Sequence, residues 1–100
     1  FLMDMGQHDR ALRLIGEVLS RPAAREVPPA DQCRALYMAT HCAAFSGDAP
    51  LAVRYGERGR ALALTHDAPE LISIETALTY AYVATDRAEE AVALADLALA

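Results

Sequence analysis

Three histidines and two cysteines are the residues of this sequence whose side chains most often bind metals or act as nucleophiles in proteins. They are His8, His41, His66, Cys33 and Cys42. Their spacing matches neither Cys-x-x-Cys nor His-x-x-x-His, at which a short segment holds a metal ion. His41 and Cys42 are adjacent, but neighbouring side chains on a helix point about 100° apart, and a cysteine nucleophile also needs a third group and a pocket. We therefore expect no catalytic residue, no metal site and no cofactor, and we interpret the chain as not an enzyme.

Pairs of like charges are the second feature with chemical potential. Glu89 and Glu90 could act as an acid and a base, but they fall where a helix is predicted to begin, and the positive end of a helix favours carboxylates there. Arg54 and Arg58 are four residues apart, a spacing that places both on one helix face. We interpret that face as solvated, with contact to an anion or phosphate as the alternative.

The overall charge argues against nucleic acid as a partner. The 100 residues, enough for one domain, carry a net charge of −5 from nine arginines, no lysine and 14 acids. These arginines are dispersed among the acids, whereas a surface that binds nucleic acid needs clustered positive charge. We expect no direct contact with nucleic acid.

The cysteines and the apolar runs bear on localisation. Cys33 and Cys42 are nine residues apart in one predicted helix, so they point in nearly opposite directions and cannot form a disulfide with each other. Buried, reduced cysteines are typical of the cytoplasm. No apolar run reaches the length of about 18 residues that a membrane span requires. We expect a cytoplasmic protein that does not enter a membrane.

A short phrase recurs three times along the chain, and it indicates the elements that position these residues. It occurs as MGQHDRAL at residues 5–12, SGDAPLAV at residues 46–53 and TDRAEEAV at residues 85–92. Apolar residues at the three- and four-residue spacing of a helix face lie on both sides of the phrase. The phrase is therefore predicted to be the corner of a helical hairpin. Alignment on the alanines at positions 11, 52 and 91 gives a period of about 40 residues, which is typical of hairpin repeats.

The pattern predicts five helices, over residues 8–20, 30–46, 49–65, 68–84 and 87–99, and residues 1–5 are predicted to be the last turn of an earlier helix. Gly47 is expected to end one helix in the left-handed conformation. Asp48 is expected to cap the next helix, with Pro50 in its first turn. Asp67 and Asp86 are likewise predicted to be helix N-caps, because a glutamate follows each after three residues.

These corners resemble those of the tetratricopeptide repeat, in which a glycine precedes a fixed alanine. Gly6 to Ala11 and Gly47 to Ala52 follow that pattern, and Asp86 replaces the glycine in the third unit. Tyr82 matches an aromatic position of the family's first helix. The sequence departs from the family by lacking tryptophan, by Thr40 and Thr79 at small-residue positions, and by Gly56 and Gly59 inside a helix.

The resemblance implies an all-α fold of stacked antiparallel helix–turn–helix hairpins, a fragment of a right-handed α-solenoid with about 2.5 repeats. The chain would be a single domain over residues 1–100, with units at about 1–22, 30–65 and 68–100. A plain antiparallel helical bundle is the alternative fold. Long-period repeats rich in alanine and arginine also resemble the helical sensor regions of large bacterial transcriptional regulators of the LuxR type. The expected function is therefore a non-catalytic scaffold or sensor module that binds a protein or peptide.

The same architecture implies candidate binding residues, since the first helix of each hairpin lines the concave side of such a stack. Counting back from the corners along each helix face gives Arg34, Tyr37, His41, Phe45, Ser73, Thr76, Tyr80 and Val83. A peptide or helix with apolar anchors would suit these side chains. Alternatively, Tyr37 and Phe45 only pack between units.

A different role is self-association. The sequence ends in AVALADLALA, an apolar stripe without the polar cap that a repeat array needs at its terminus. This end is expected to meet either further repeats or another chain, so the alternative function is that of an oligomerisation module built from a helical bundle.

Overall fold

The structure is a computed structural model that describes residues 5–21 and 26–99. These residues form five α-helices and no strand, so the expected all-α class is confirmed. The helices are α1 (Met5–Ser20), α2 (Pro29–Phe45), α3 (Ala49–His66), α4 (Leu71–Ala84) and α5 (Ala88–Leu99).

Two helix starts differ from the prediction. Helix α1 already includes Met5, the first described residue, so Gly6 lies inside the helix and does not form the corner expected there. Helix α4 begins at Leu71, because Asp67 to Glu70 form the turn after α3. The helical turn expected over residues 1–5 falls almost entirely outside the described residues.

The corner between α2 and α3 has the hydrogen bonds of a Schellman motif. Gly47 has a φ of 84°, its N–H donates to the carbonyl of Ala44 at 3.3 Å, and the N–H of Asp48 donates to the carbonyl of Ala43 at 2.9 Å. The carboxylate of Asp48 accepts from the N–H of Leu51 at 3.2 Å. The predicted left-handed glycine and aspartate cap are both confirmed.

The corner between α4 and α5 repeats these backbone bonds one hairpin further along the chain. The N–H of Asp86 donates to the carbonyl of Val83 at 3.2 Å, and the N–H of Arg87 donates to the carbonyl of Tyr82 at 2.8 Å. Asp86 has a φ of 60° and so takes the place of Gly47. A Schellman motif ends the preceding helix and needs a left-handed residue, a conformation that aspartate tolerates better than most residues.

The predicted capping role of Asp67 and Asp86 is therefore wrong. Asp86 precedes Arg87, the residue before α5, and Asp67 ends α3 with a φ of 51°. The N–H of Ala68 donates to the carbonyl of Ala63 at 2.9 Å. This bond joins residues five apart, as the corresponding bonds at the other two corners do. At both positions the sequence signal for a helix start marks the end of the preceding helix.

Helix α3 lies between α2 and α4, and these two also contact each other; α1 packs on α2 and α5 packs on α4. One buried cluster joins the start of α2 to the end of α3 and the start of α4, through Cys33, Ala63 and Ile74. Another joins the end of α2, the start of α3 and the end of α4, through residues that include Ala43, Val53 and Leu78. Successive helices from α2 to α4 are therefore antiparallel, and α2 and α4 run in the same direction.

Gly56 and Gly59 allow α2 and α4 to approach α3 closely. A methyl group on Gly56 would lie 2.8 Å from Cδ1 of Leu78 and 3.3 Å from Cγ2 of Thr40. A methyl group on Gly59 would lie 3.1 Å from Cβ of Leu36 and 3.3 Å from Cδ1 of Ile74. These glycines are not mere interruptions of the helix, because the missing side chains make room for two neighbouring helices.

Threonines take the small-residue positions without leaving their hydroxyl groups unsatisfied. The hydroxyl of Thr40, which is fully buried, donates to the carbonyl of Leu36 at 2.7 Å. The hydroxyl of Thr79 donates to the carbonyl of Glu75 at the same distance. Each hydroxyl is satisfied within its own helix, so it needs no partner on α3.

We predict that Gly56→Ala destabilises the protein. Helix propensity alone would favour alanine by about 1 kcal/mol, but the added methyl group overlaps Leu78, so we expect the free energy of unfolding to fall by about 1–3 kcal/mol. Urea unfolding followed by circular dichroism measures the change. Gly16→Ala is the control, since its methyl group meets only the tip of a side chain, the hydroxyl of Tyr55, at 3.1 Å. A Gly56→Ala variant as stable as the native chain would contradict the close-approach role.

We predict that Asp86→Gly stabilises the protein. Glycine adopts a positive φ without the steric penalty that aspartate meets there, and the free energy of unfolding should rise by about 0.5–1 kcal/mol. The reverse exchange at the matched corner, Gly47→Asp, should lower it by a similar amount. Thermal unfolding of the two variants beside the native chain measures both effects, and opposite signs are required.

Candidate functional site

A groove between α2 and α4 is the candidate site. Its volume is about 330 Å³, and its walls come from one face of each helix. Six of the eight candidate binding residues line it: Tyr37, His41, Phe45, Ser73, Thr76 and Tyr80. They share the groove because α2 and α4 run side by side against α3.

Three rings succeed one another along the α2 wall. His41 lies between the other two, with its ring centroid 6.1 Å from that of Tyr37 and 4.4 Å from that of Phe45. The rings are inclined by 44° and 42°, arrangements that aromatic side chains commonly adopt. Residues four apart on a helix meet in this way, so the sequence spacing alone produces this row.

The groove exposes large apolar side chains to solvent. Phe45 is 57% exposed, Ile72 is 72% exposed and Tyr80 is 64% exposed. Single exposed apolar residues are ordinary on protein surfaces, whereas a contiguous set marks a place where another molecule is bound. These three lie on both walls of one groove, which makes the groove the candidate site.

Ile72, Ala44 and Ala77 line the groove but were not among the predicted residues. Counting back from the corner at spacings of three and four selected Thr76 and then Ser73. Ile72 is four residues before Thr76 and shares its face as well. Counting back by both three and four residues from each selected position would have included Ile72.

The groove lining carries no carboxylate and no guanidinium. The hydroxyl of Thr76 already donates to the carbonyl of Ile72 at 2.9 Å. Polar contacts in the groove would come from Ser73, His41 and the two tyrosine hydroxyls. A charged group entering the groove would be desolvated without a charged partner in its walls, which is unfavourable.

Two predicted residues lie outside the groove. Arg34 is an exposed residue of α2, one helical turn before Tyr37. Val83 is 60% exposed near the end of α4. Neither contributes to the groove walls.

Among the residues that suggested chemistry, His8 lies outside the side chains that the structure describes, which are those of residues 10–21 and 26–97. The two cysteines are free and buried, and burial raises the pKa of both thiols, with a smaller contribution from Glu70 at Cys33. A raised pKa disfavours the nucleophilic thiolate. In this part of the chain, no three histidine, cysteine, aspartate or glutamate side chains lie close enough together to hold a metal ion.

Two further observations concern the surface. Arg54 and Arg58 are both exposed, in agreement with a solvated face. None of the described helices combines the length and apolar character needed to cross a bilayer.

A polar network ties α3, α4 and α5 together. The hydroxyl of Tyr82 donates to the carboxylate of Glu57 at 2.7 Å. The guanidinium of Arg87 lies over the Tyr82 ring, 4.5 Å from its centroid, and donates to Glu90 at 2.7 Å and to Glu57 at 3.4 Å. The hydrogen bond from Arg87 holds the pKa of the Glu90 carboxyl below its usual value. The network is structural, since each of its groups is satisfied by another member.

A further ion pair joins α3 to α4. The Nε of Arg60 donates to the carboxylate of Glu75 at 2.9 Å. The side chain of Glu75 is only 9% exposed, and an unpaired carboxylate there would be costly. Arg60 therefore permits the one acidic residue of α4 to face α3 and leaves the groove side of α4 uncharged.

Comparison with known proteins identifies no relative: no protein-family model, no curated protein and no solved structure matches this chain significantly. The function must therefore be argued from the site itself.

We predict that stability declines at high pH through Tyr82. Burial and the hydrogen bond to Glu57 raise the pKa of Tyr82 from 10 to about 12. Because the folded-state pKa is the higher one, this contribution to stability is complete below pH 10 and is lost as the pH rises from 10 towards 12. The measurement is the free energy of unfolding against pH for the native chain and Tyr82→Phe. The decline between pH 10 and 12 should be smaller in the variant, and equal declines would show that Tyr82 does not carry it.

Proposed function

We propose that this chain is a non-catalytic module that binds a peptide or protein segment in the groove between α2 and α4. The single observation that carries the proposal is the set of large apolar side chains, Phe45, Ile72 and Tyr80, that remain exposed on opposing walls of one groove. Exposed aromatic and aliphatic residues around a concavity are typical of interfaces that bind through a few anchors.

The chemistry of the groove defines its occupant. The walls hold no formal charge beyond what His41 can carry, so the inserted side chains should be aliphatic or aromatic. A volume of about 330 Å³ is at the small end of ligand sites and suits one or two such anchors. Hydroxyl groups along the rim can bond to the backbone of the bound segment.

We also propose that the hairpins are stacked as in a tetratricopeptide-like solenoid. The matching backbone bonds at Gly47 and Asp86 support this arrangement, since they give the corners of two successive hairpins the same geometry. The groove supports it as well, because it lies between the first helices of successive hairpins, the concave side of such a stack.

A place in a larger cytoplasmic transcriptional regulator is part of the same proposal. Its support is the resemblance of the repeats, long in period and rich in alanine and arginine, to the sensor regions of LuxR-type regulators. In such a protein the module would bind a partner and transmit that event to other domains. The net charge of −5 suits a module that leaves contact with nucleic acid to another part of the protein.

The test is selection of peptides followed by substitution in the groove. A library of random peptides displayed on phage is selected on the immobilised chain, and enriched peptides are synthesised and titrated by fluorescence anisotropy. We expect enrichment in leucine, phenylalanine, tryptophan or methionine at one or two positions. Tyr80→Ala and Ile72→Ser should each weaken binding by about tenfold, as loss of an anchor contact does.

Leu64→Ala is the matched control. Leu64 is an apolar residue of α3 that is 51% exposed and does not line the groove, so its removal should leave affinity unchanged. Circular dichroism of all three variants checks the fold, and their exposed positions make unfolding unexpected. Peptides whose affinity is equally insensitive to Tyr80, Ile72 and Leu64 would place the binding site elsewhere and refute the proposal.

A further inference from the structure

Two exposed valines mark a second apolar surface, away from the groove walls. Val83 near the end of α4 is 60% exposed, and Val92 in the first turns of α5 is 61% exposed. The corner at Asp86 lies between them in the chain. We call this surface, formed by Val83 and Val92, the α4–α5 end face.

In the preceding hairpin, the counterpart of Val92 is covered and the counterpart of Val83 is half-buried at the edge of the groove. Backbone bonds relate the corner at Asp86 to the corner at Gly47, so Val83 corresponds to Ala44 and Val92 to Val53. Val53 is only 5% exposed and belongs to a buried cluster, and Ala44 packs against the same cluster. The residues of α4 in that cluster are Leu78, Ala81 and Tyr82.

Val53 and Val92 differ in exposure because a later helix covers Val53 alone. Helix α4 packs on α3 and also contacts α2, and it brings Leu78 over the backbone at Gly56. Among the described helices, α4 is the one against which α5 packs extensively, so no later helix lies over α5 as α4 lies over α3. Ala95 is the counterpart of Gly56 and is partly exposed, so the end face also has a small residue where the earlier hairpin receives a leucine.

We propose that the α4–α5 end face binds one further helix of the α4 type. Its inner side would carry a leucine, an alanine three residues later and an aromatic residue directly after, as Leu78, Ala81 and Tyr82 do on the preceding hairpin. Such a helix would cover Val92 as α4 covers Val53, and it would place Val83 at the edge of an extended groove, where Ala44 lies in the preceding hairpin. This surface is independent of the groove and would extend it, because the added helix would lie beside α4 as α4 lies beside α2.

The charges around the end face agree with an apolar contact. Glu57, Arg87 and Glu90 pair with one another, and the other two carboxylates at the corner, those of Asp86 and Glu89, are exposed to solvent. The occupant therefore needs no charged group on its inner side, in keeping with a leucine, an alanine and an aromatic residue.

The test supplies such a helix in the matching register. A second copy of residues 62–85 is fused directly after Ala100, because the register that relates Asp86 to Gly47 also relates position 101 to position 62. Val92→Cys provides a reporter thiol in the original and the extended chain, and its reaction with a disulfide reagent is followed by absorbance. The native thiols are buried with raised pKa values, so they react slowly. We expect the reporter thiol to react about tenfold more slowly in the extended chain, since it becomes accessible only by local opening.

Two controls make the result specific. In the first, the appended copy carries Leu78→Ser and Tyr82→Ser, which should restore the reactivity of the reporter thiol. In the second, Leu64→Cys places the reporter on an exposed part of α3, where the extension should change nothing. Equal reactivity of Val92→Cys in the original and extended chains would overturn the proposal. Slow reaction in the original chain, together with a dimer by light scattering, would also overturn it by showing that a second copy covers this face.

Discussion

The close approach of α2 and α4 to the backbone of α3 is the contact on which the other features depend. It occurs at Gly56 and Gly59, where Leu78 and Ile74 of α4 and Thr40 and Leu36 of α2 occupy the space that side chains would fill. Because both helices reach the same stretch of α3, they also reach each other. The groove is the surface that these two helices leave on the side facing away from α3.

This arrangement gives α2 and α4 each a buried side towards α3 and an exposed apolar side in the groove. On α4, Ile74, Leu78 and Tyr82 are buried, whereas Ile72 and Tyr80 are exposed. The one carboxylate of the helix, Glu75, faces α3 and is neutralised by Arg60. Large apolar residues on both sides of one helix give little amphipathic contrast, because the core lies on one side of α4 and the apolar groove on the other.

The sequence was informative where a local rule decides the structure. Spacings of three and four residues located all five helices, and the Ser-Gly-Asp-Ala-Pro segment specified the corner at Gly47, because a left-handed glycine and an aspartate cap act within a few residues. The same rules failed at Asp67 and Asp86. An aspartate followed by a glutamate suits a helix start, yet the preceding helix needed a left-handed residue at that place, and only the three-dimensional path of the chain decides between the two roles.

Packing between segments distant in the chain was harder to predict from the sequence. By helix propensity alone, Gly56 is unfavourable. Its role in packing is apparent only from the positions of Thr40 and Leu78, which come from two other helices. The groove residues were largely found, because position on a face depends on spacing along one helix. Ile72 was missed and Val83 lies outside the groove, since which part of a face lies opposite a neighbour depends on where the two helices cross.

The common direction of α2 and α4 gives the groove two electrically different ends. Peptide dipoles of parallel helices add, so the amino ends of both helices make one end of the groove electropositive, and the carboxyl ends make the other electronegative. Carboxylates lie at both ends, Asp31 and Glu70 at the first and Asp48 and Asp86 at the second, so the difference between the ends comes from the helix dipoles. A segment bound there as proposed would meet both dipoles with the same sign, so its two directions along the groove are not equivalent.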